Sequence, residues 1–285
     1  LLAGLVDVAM NIEAVAVERR FERRVMTSIH GTWSVSVFVG AGAASLGVAA
    51  GIPIGVFLPI SAVFVAAASF SVLRWLPVAA TARPKTDATA PRERSDRVLL
   101  LLCLVAGGSF LMEGIAIEWS AVFLRESVGV EPSIAGLGVV AFSAGMAVSR
   151  FVGDRIVARV GQPVVVRVGA SSAFLAFGVM LLVPTAATSV VAFGVVGLGL
   201  GPVVPLAFRS AGSIETPRRR SALPIVVTAG YVGSIVGPLV VGLIADGFGL
   251  RVAFLVPLVA VAAAAFAAAA TRESTAQPTS PSTDS

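Results

Sequence analysis

The chain has 285 residues, 56% of them hydrophobic and 13% charged, with a mean hydropathy of +0.94 and a formal net charge of +5. Soluble domains carry about a quarter charged residues, so too little polar surface exists here for a water-soluble fold, and lipid must cover much of it. The basic excess does not mark a nucleic-acid binder, since the arginines form no single patch and apolar walls of about 20 residues separate them.

Nine apolar segments follow one another along the chain. The first, residues 1–17, begins already apolar with no basic leader, so it reads as a span entered partway. It ends at Arg19-Arg20-Phe21-Glu22-Arg23-Arg24. The second and third, 32–52 and 54–73, meet at Pro53. Residues 74–97 are polar, basic and proline-bearing, with Arg83-Pro84-Lys85 and Pro91-Arg92-Glu93-Arg94, and read as a linker. Six more segments follow: 98–124, 133–157, 164–183, 187–208, 222–245 and 252–270. Residues 271–285 are rich in Ser, Thr and Pro and read as a disordered tail. Each segment holds at least about 17 apolar residues without the period-two alternation of a barrel strand. The expected fold class is therefore an all-α membrane bundle with nine transmembrane helices.

The basic residues assign the sides. Nineteen of the 21 Lys and Arg fall in every second gap between spans; the other gaps hold only Arg125 and Arg251. Positive charge is retained on the cytoplasmic side. The linker and tail are thus expected in the cytoplasm, below an inner membrane, with the start of the chain outside. The linker divides the spans three and six, where transporters commonly have two equivalent halves. A faint repeat supports two halves: Trp33, Gly51 and Pro59 have the same spacing as Tyr231, Gly249 and Pro257.

Ionisable groups inside a span cost about 2.5–3.5 kcal/mol each and persist where they meet water, a partner or a ligand. Span one holds Asp7, Asn11 and Glu13, the first two sharing a helix face. Span four holds Glu113 near its middle and Glu118 nearer the outer surface, beside Trp119. Arg150 and Asp154 are one turn apart at the inner end of span five, a spacing that suits a local pair. Gly194, Gly197, Gly199 and Gly201, followed by Pro202 and Pro205, read as close helix packing with a kink. His30, the one histidine, reads as an interfacial hydrogen-bonding residue. The single cysteine, Cys103, excludes an internal disulfide. No metal-ligand spacing, cofactor motif or hydrolase motif appears, so no metal, cofactor or enzymatic activity is expected.

Arg150-Phe-Val-Gly-Asp154-Arg155-Ile-Val-Ala-Arg159 resembles the cytoplasmic loop motif G-x-x-x-D-R-x-G-R-R of the major facilitator superfamily. Arg150 stands in place of its first glycine and Val157 in place of its second. Asp7-Val-Ala-Met-Asn11, Glu18-Arg19-Arg20, His30-Gly-Thr-Trp33-Ser34, Glu113-Gly114 with Glu118-Trp119-Ser120, and Gly242-Leu-Ile-Ala-Asp246 are together similar to its bacterial YbjJ-like branch, loosely akin to sugar permeases. The resemblance implies that residues 1–73 supply helices four to six and residues 98–270 the complete second half, with helices one to three absent. In the superfamily, helices four and seven line the central cavity. Asp7, Asn11, Glu13, Glu113 and Glu118 thereby become candidates to bind substrate or proton, and Arg150, Asp154 and Arg155 candidates for a gate. A carboxylate that is dry in one state and wet in the other can exchange a proton. The implied function is secondary active transport of a small solute by alternating access, proton-coupled, by a lipid-embedded monomer when full length. The alternatives are a sensor or accessory protein of the same fold that moves nothing, or a nonfunctional truncated paralogue.

Overall fold

The computed structural model describes residues 9–10, 13–14, 17, 26–73, 96–214 and 222–271, and among these the regular structure is entirely helical. The helices are α1 (Met26–Ala49), α2 (Ile54–Leu73), α3 (Asp96–Phe123), α4 (Pro132–Ala135), α5 (Leu137–Val160) and α6 (Gln162–Leu182). They continue with α7 (Ala186–Leu200), α8 (Val203–Gly212), α9 (Leu223–Phe248), α10 (Leu250–Ala253) and α11 (Leu255–Ala267). A π-helical turn, Leu124–Val128, extends α3, and a 3₁₀ turn, Ala268–Thr271, closes α11.

Nine membrane-spanning helices are expected from the sequence; the described residues contain seven that are long and apolar enough. These are Ile54–Ser71, Asp96–Val128, Leu137–Val160, Gln162–Leu182, Ala186–Gly212, Leu223–Phe248 and Leu250–Thr271. Most of residues 1–17 lies outside the described residues. Helix α1 has the length of a span and is not among the seven. It also begins at Met26 rather than near residue 32. Its first turn is polar, so hydropathy passes over it, yet that turn is bonded to α5.

Helix α3 packs along α9 and α11, α7 lies against both α5 and α6, and α1 lies against α5. The α7–α8 span is the most buried of the seven and forms the centre of the bundle. No described residue of α2 is buried. Phe254, in the step between α10 and α11, stacks on Phe123 (4.9 Å) and Phe177 (5.4 Å), tying α3, α6 and α11 together. Gly51 (φ 69°) and Gly249 (φ 84°), the matched glycines of the repeat, both turn the chain in the left-handed region after a long helix, a conformation that favours glycine.

Lipid offers no hydrophobic drive for helices to associate, so small residues that allow close approach decide the packing. A Cβ at Gly197 would collide with the Phe142 carbonyl of α5, and one at Gly169 or Gly199 with the other's carbonyl. Helix α7 therefore meets α5 and α6 backbone to backbone. Gly197→Val is expected to destabilise the protein by about 1–3 kcal/mol through overpacking. Gly40→Val, where a Cβ would meet nothing within 4 Å, serves as the control. Thermal unfolding in detergent compares the two; equal midpoints would contradict the close α5–α7 contact.

The span divides into α7 and α8 at Gly201 and Pro202. Pro205 has no N–H to return to the Gly201 carbonyl one turn earlier. That carbonyl is left facing the bundle interior, where a side chain takes it.

Candidate functional site

The side chain that takes it is Arg150, which is only 1% exposed although it carries a full charge. Its Nε donates to the Gly201 carbonyl (2.9 Å). Its Nη1 donates to the Ser34 hydroxyl (2.6 Å) and the His30 carbonyl (3.2 Å) of α1. Its Nη2 lies 3.6 Å from the Glu113 carboxylate of α3. A buried charge is tolerated only when its donors are matched and its countercharge is close. The guanidinium meets both conditions by joining α1, α3, α5 and the helix break. The contact to Glu113 is the longest of the four: an ion pair beyond hydrogen-bond length. Three of these contacts of Arg150 are to oxygens that do not titrate, and the fourth is to the Glu113 carboxylate.

Beside the pair is a slot of about 10 Å³ lined by Trp33, Ser34, Val37, Glu113, Ile117, Phe142, Ser143 and Met146. That is about the volume one water needs. The Ser143 hydroxyl is buried there with no hydrogen-bond partner among the described residues. It can donate to or accept from a small polar guest next to the Glu113 carboxylate.

One turn along α5 toward the linker end is a second cluster. Asp154 accepts from Arg209 Nη2 of α8 (3.0 Å), from Thr27 Oγ1 of α1 (2.9 Å) and from Ser28 Oγ (3.4 Å). Gly153 makes room for this: a Cβ there would lie 3.0 Å from the Thr27 methyl. Arg150 and Asp154 thus engage different partners across helices, each fastening α5 to α1.

Among the other residues singled out from the sequence, Arg155 is exposed on α5, Glu13 is exposed, and Glu118 is exposed above a groove between α3 and α9. Asp7 and Asn11 lie outside the described residues. The structure adds Ser34, Ser143, Thr27, Ser28 and Arg209. A legible signal existed for part of this. A Pro four residues after Gly201 announces an available carbonyl inside a span, which attracts a donor. Among the described residues no three His, Cys, Asp or Glu side chains converge as a metal site would require.

Residues 98–285 match the family model of the Major Facilitator Superfamily. The chain is 34% identical to an uncharacterized MFS-type transporter of Yersinia pestis, over 94% of this chain and 70% of that protein. It is also 34% identical to an uncharacterized transporter of Sinorhizobium fredii, over 89% of this chain and 67% of that protein. The fold is similar to that of the Escherichia coli fucose:proton symporter FucP, with a TM-score of 0.51 and 16% identity over 62% of this chain and 42% of that one. On the family model and on these relatives alike, the chain belongs to the major facilitator superfamily.

Proposed function

We propose that the protein carries a small solute across the inner membrane by alternating access, driven by protons, with its linker and tail in the cytoplasm. The observation that carries this reading is the Glu113–Arg150 pair, buried where α1, α3 and α5 meet and flanked by the slot with Ser143, which has no partner among the described residues. A proton on Glu113 removes the charge that holds α3 to Arg150. The guanidinium keeps its bonds to Gly201, Ser34 and His30, so α1 and α5 stay joined while the contact between α3 and Arg150 is weakened. Protonation thus acts on one helix of the site rather than on all of them, which is what a coupling residue must do. Asp154, with Arg209 and Thr27, forms the gate at the linker end and holds one of the two states. Asp7 is the second carboxylate on the proposed path.

The test is transport by the full-length protein in proteoliposomes, screened with labelled monosaccharides, amino acids and nucleosides. Wild type is expected to accumulate its solute when the proton gradient is imposed. Glu113→Gln and Asp7→Asn are each expected to abolish accumulation while solute exchange across the membrane continues. Unchanged proton-driven accumulation in both variants would refute the coupling. Absence of counterflow for every solute would refute transport itself.

A further inference from the structure

Helices α5 and α6 form a hairpin whose turn is a single residue, Gly161, at φ 84°. The hairpin carries Arg155 and Arg159 on α5 and Arg167 on α6. All three are exposed, and no ion pair or side-chain hydrogen bond to them exists among the described residues. Asp154 is the only acid between residues 132 and 214, and Arg209 holds it. The hairpin therefore presents three positive charges with no countercharge of its own.

Their depth is what sets them apart from charges in a loop. Arg155 and Arg167 each lie six residues from Gly161, about 9 Å up the two helix axes. Arg159 is nearer the turn. All three fall inside segments long and apolar enough to cross a membrane, Leu137–Val160 and Gln162–Leu182. Residues three or four apart share a helix face. Arg155 and Arg159 thus stand in one stripe with Val152 and Ile156, and Arg167 in another with Val164 and Val168. These four aliphatic side chains are exposed. Helix α7 lies against both α5 and α6, which leaves the two stripes to face lipid.

A nucleic acid or an acidic protein would meet valine and isoleucine between the arginines, where such a partner needs polar contacts. An arginine on a lipid-facing surface lays its stem along the apolar side chains and carries its guanidinium to headgroup level. The oxygens on offer there are lipid phosphates, which the planar guanidinium fork takes in pairs. A zwitterionic lipid brings an ammonium group that three arginines repel. An anionic lipid brings the phosphate without it, and its acyl chains match the aliphatic stripes.

We propose that the linker end of the α5–α6 hairpin is a binding surface for an anionic phospholipid. Arg155, Arg159 and Arg167 hold its phosphate, and Val152, Ile156, Val164 and Val168 bear its acyl chains. The surface is separate from the Glu113 and Asp154 clusters and stands whether or not the protein moves a solute.

The experiment places the full chain in bilayers of phosphatidylcholine and phosphatidylglycerol. Trp33, Trp75 and Trp119 are replaced by Phe, and Val164→Trp is the reporter. Brominated phosphatidylglycerol is expected to quench it with a relative binding constant about tenfold above that of brominated phosphatidylcholine, equivalent to ~1.4 kcal/mol. Arg155→Gln, Arg159→Gln and Arg167→Gln together should bring the ratio close to one. The corresponding Lys changes should keep part of it, since the charge stays and the fork is lost. Leu100→Trp, at an exposed residue of α3 near the linker, is the control reporter for diffuse attraction to a basic protein. Its ratio should be small and unmoved by the three Gln changes. Free inorganic phosphate at matched ionic strength should not relieve the quenching. Native mass spectrometry of the chain with its own tryptophans gives an independent reading: phosphatidylglycerol retained over phosphatidylcholine, with the preference lost in the triple Gln variant. The thermal midpoint of that variant in detergent should equal the parent's, because the three side chains are exposed. Equal ratios at the two reporters, a preference that survives the triple Gln variant, or quenching relieved by free phosphate would overturn the proposal.

Discussion

Arg150→Leu is expected to destabilise the protein by about 3–5 kcal/mol, the usual cost of removing one partner of a buried ion pair. The loss has two parts. Glu113, itself nearly buried, would keep a charge with its countercharge gone. The Gly201 carbonyl, which Pro205 cannot serve, would lose the donor it has in Arg150. Glu113→Gln should cost less, because the guanidinium retains the Gly201 and His30 carbonyls and the Ser34 hydroxyl. Replacing both members, as Arg150→Leu with Glu113→Leu, should recover a large share of the loss, since apolar substitutes for a buried pair are often neutral or better. Thermal and denaturant unfolding of the two single variants and the double variant form a cycle that isolates the pairwise energy. Strictly additive effects would show that the pair is not coupled in the folded protein.

Asp154→Asn is expected to loosen the linker end of the bundle while leaving the fold intact. Asp154 accepts one charge-assisted bond from Arg209 and two from hydroxyls of α1. Hydrogen bonds to charged groups contribute about 1.5–3 kcal/mol each. If that energy holds α1, α5 and α8 together in one of two states, losing even ~1.4 kcal/mol shifts their equilibrium about tenfold. Val157, on α5 three residues beyond Asp154, is 1% exposed and reports on opening. With Cys103→Ser in the background, Val157→Cys should react with a maleimide about tenfold faster when Asp154→Asn is added, the same ~1.4 kcal/mol shift in population. Arg209→Gln should do the same. An unchanged labelling rate in both variants would mean that the cluster joins helices but gates nothing.

Individual residues show what was legible in the chain. Glu113 stood out because an acid in an apolar span needs a reason. Ser143 did not stand out. A serine in a membrane helix ordinarily bonds a carbonyl of its own helix, as Ser36 does to Thr32 and Ser61 to Phe57. Nothing local separates those serines from Ser143, whose hydroxyl is buried without such a bond. Arg209 counted only as one of the basic residues that set the sides of the membrane. Its role against Asp154 depends on α8 meeting α5, a contact between residues 55 positions apart. The seven spans of the described residues were visible as apolar runs, and Gly201 with Pro202 and Pro205 as a kink; α1, outside those seven, starts at Met26 and not near residue 32.

The sequence by itself determined that the chain lies in lipid, that it crosses as helices, and which residues carry charge into that environment. These follow from composition, run length and the spacing of arginines, and each is a property of the chain taken a segment at a time. The partners were decided only by the tertiary structure. Spacing along α5 puts Arg150 and Asp154 one turn apart and suggests a local pair. In the folded protein each is drawn across to another helix, Arg150 to Glu113 and Gly201, Asp154 to Arg209 and Thr27. The physical reason is desolvation. At a lipid-exposed helix surface an i,i+4 pair contributes a few tenths of a kcal/mol. Inside the bundle, a charge must find enough donors and acceptors to replace its lost water, and only neighbouring helices can supply them.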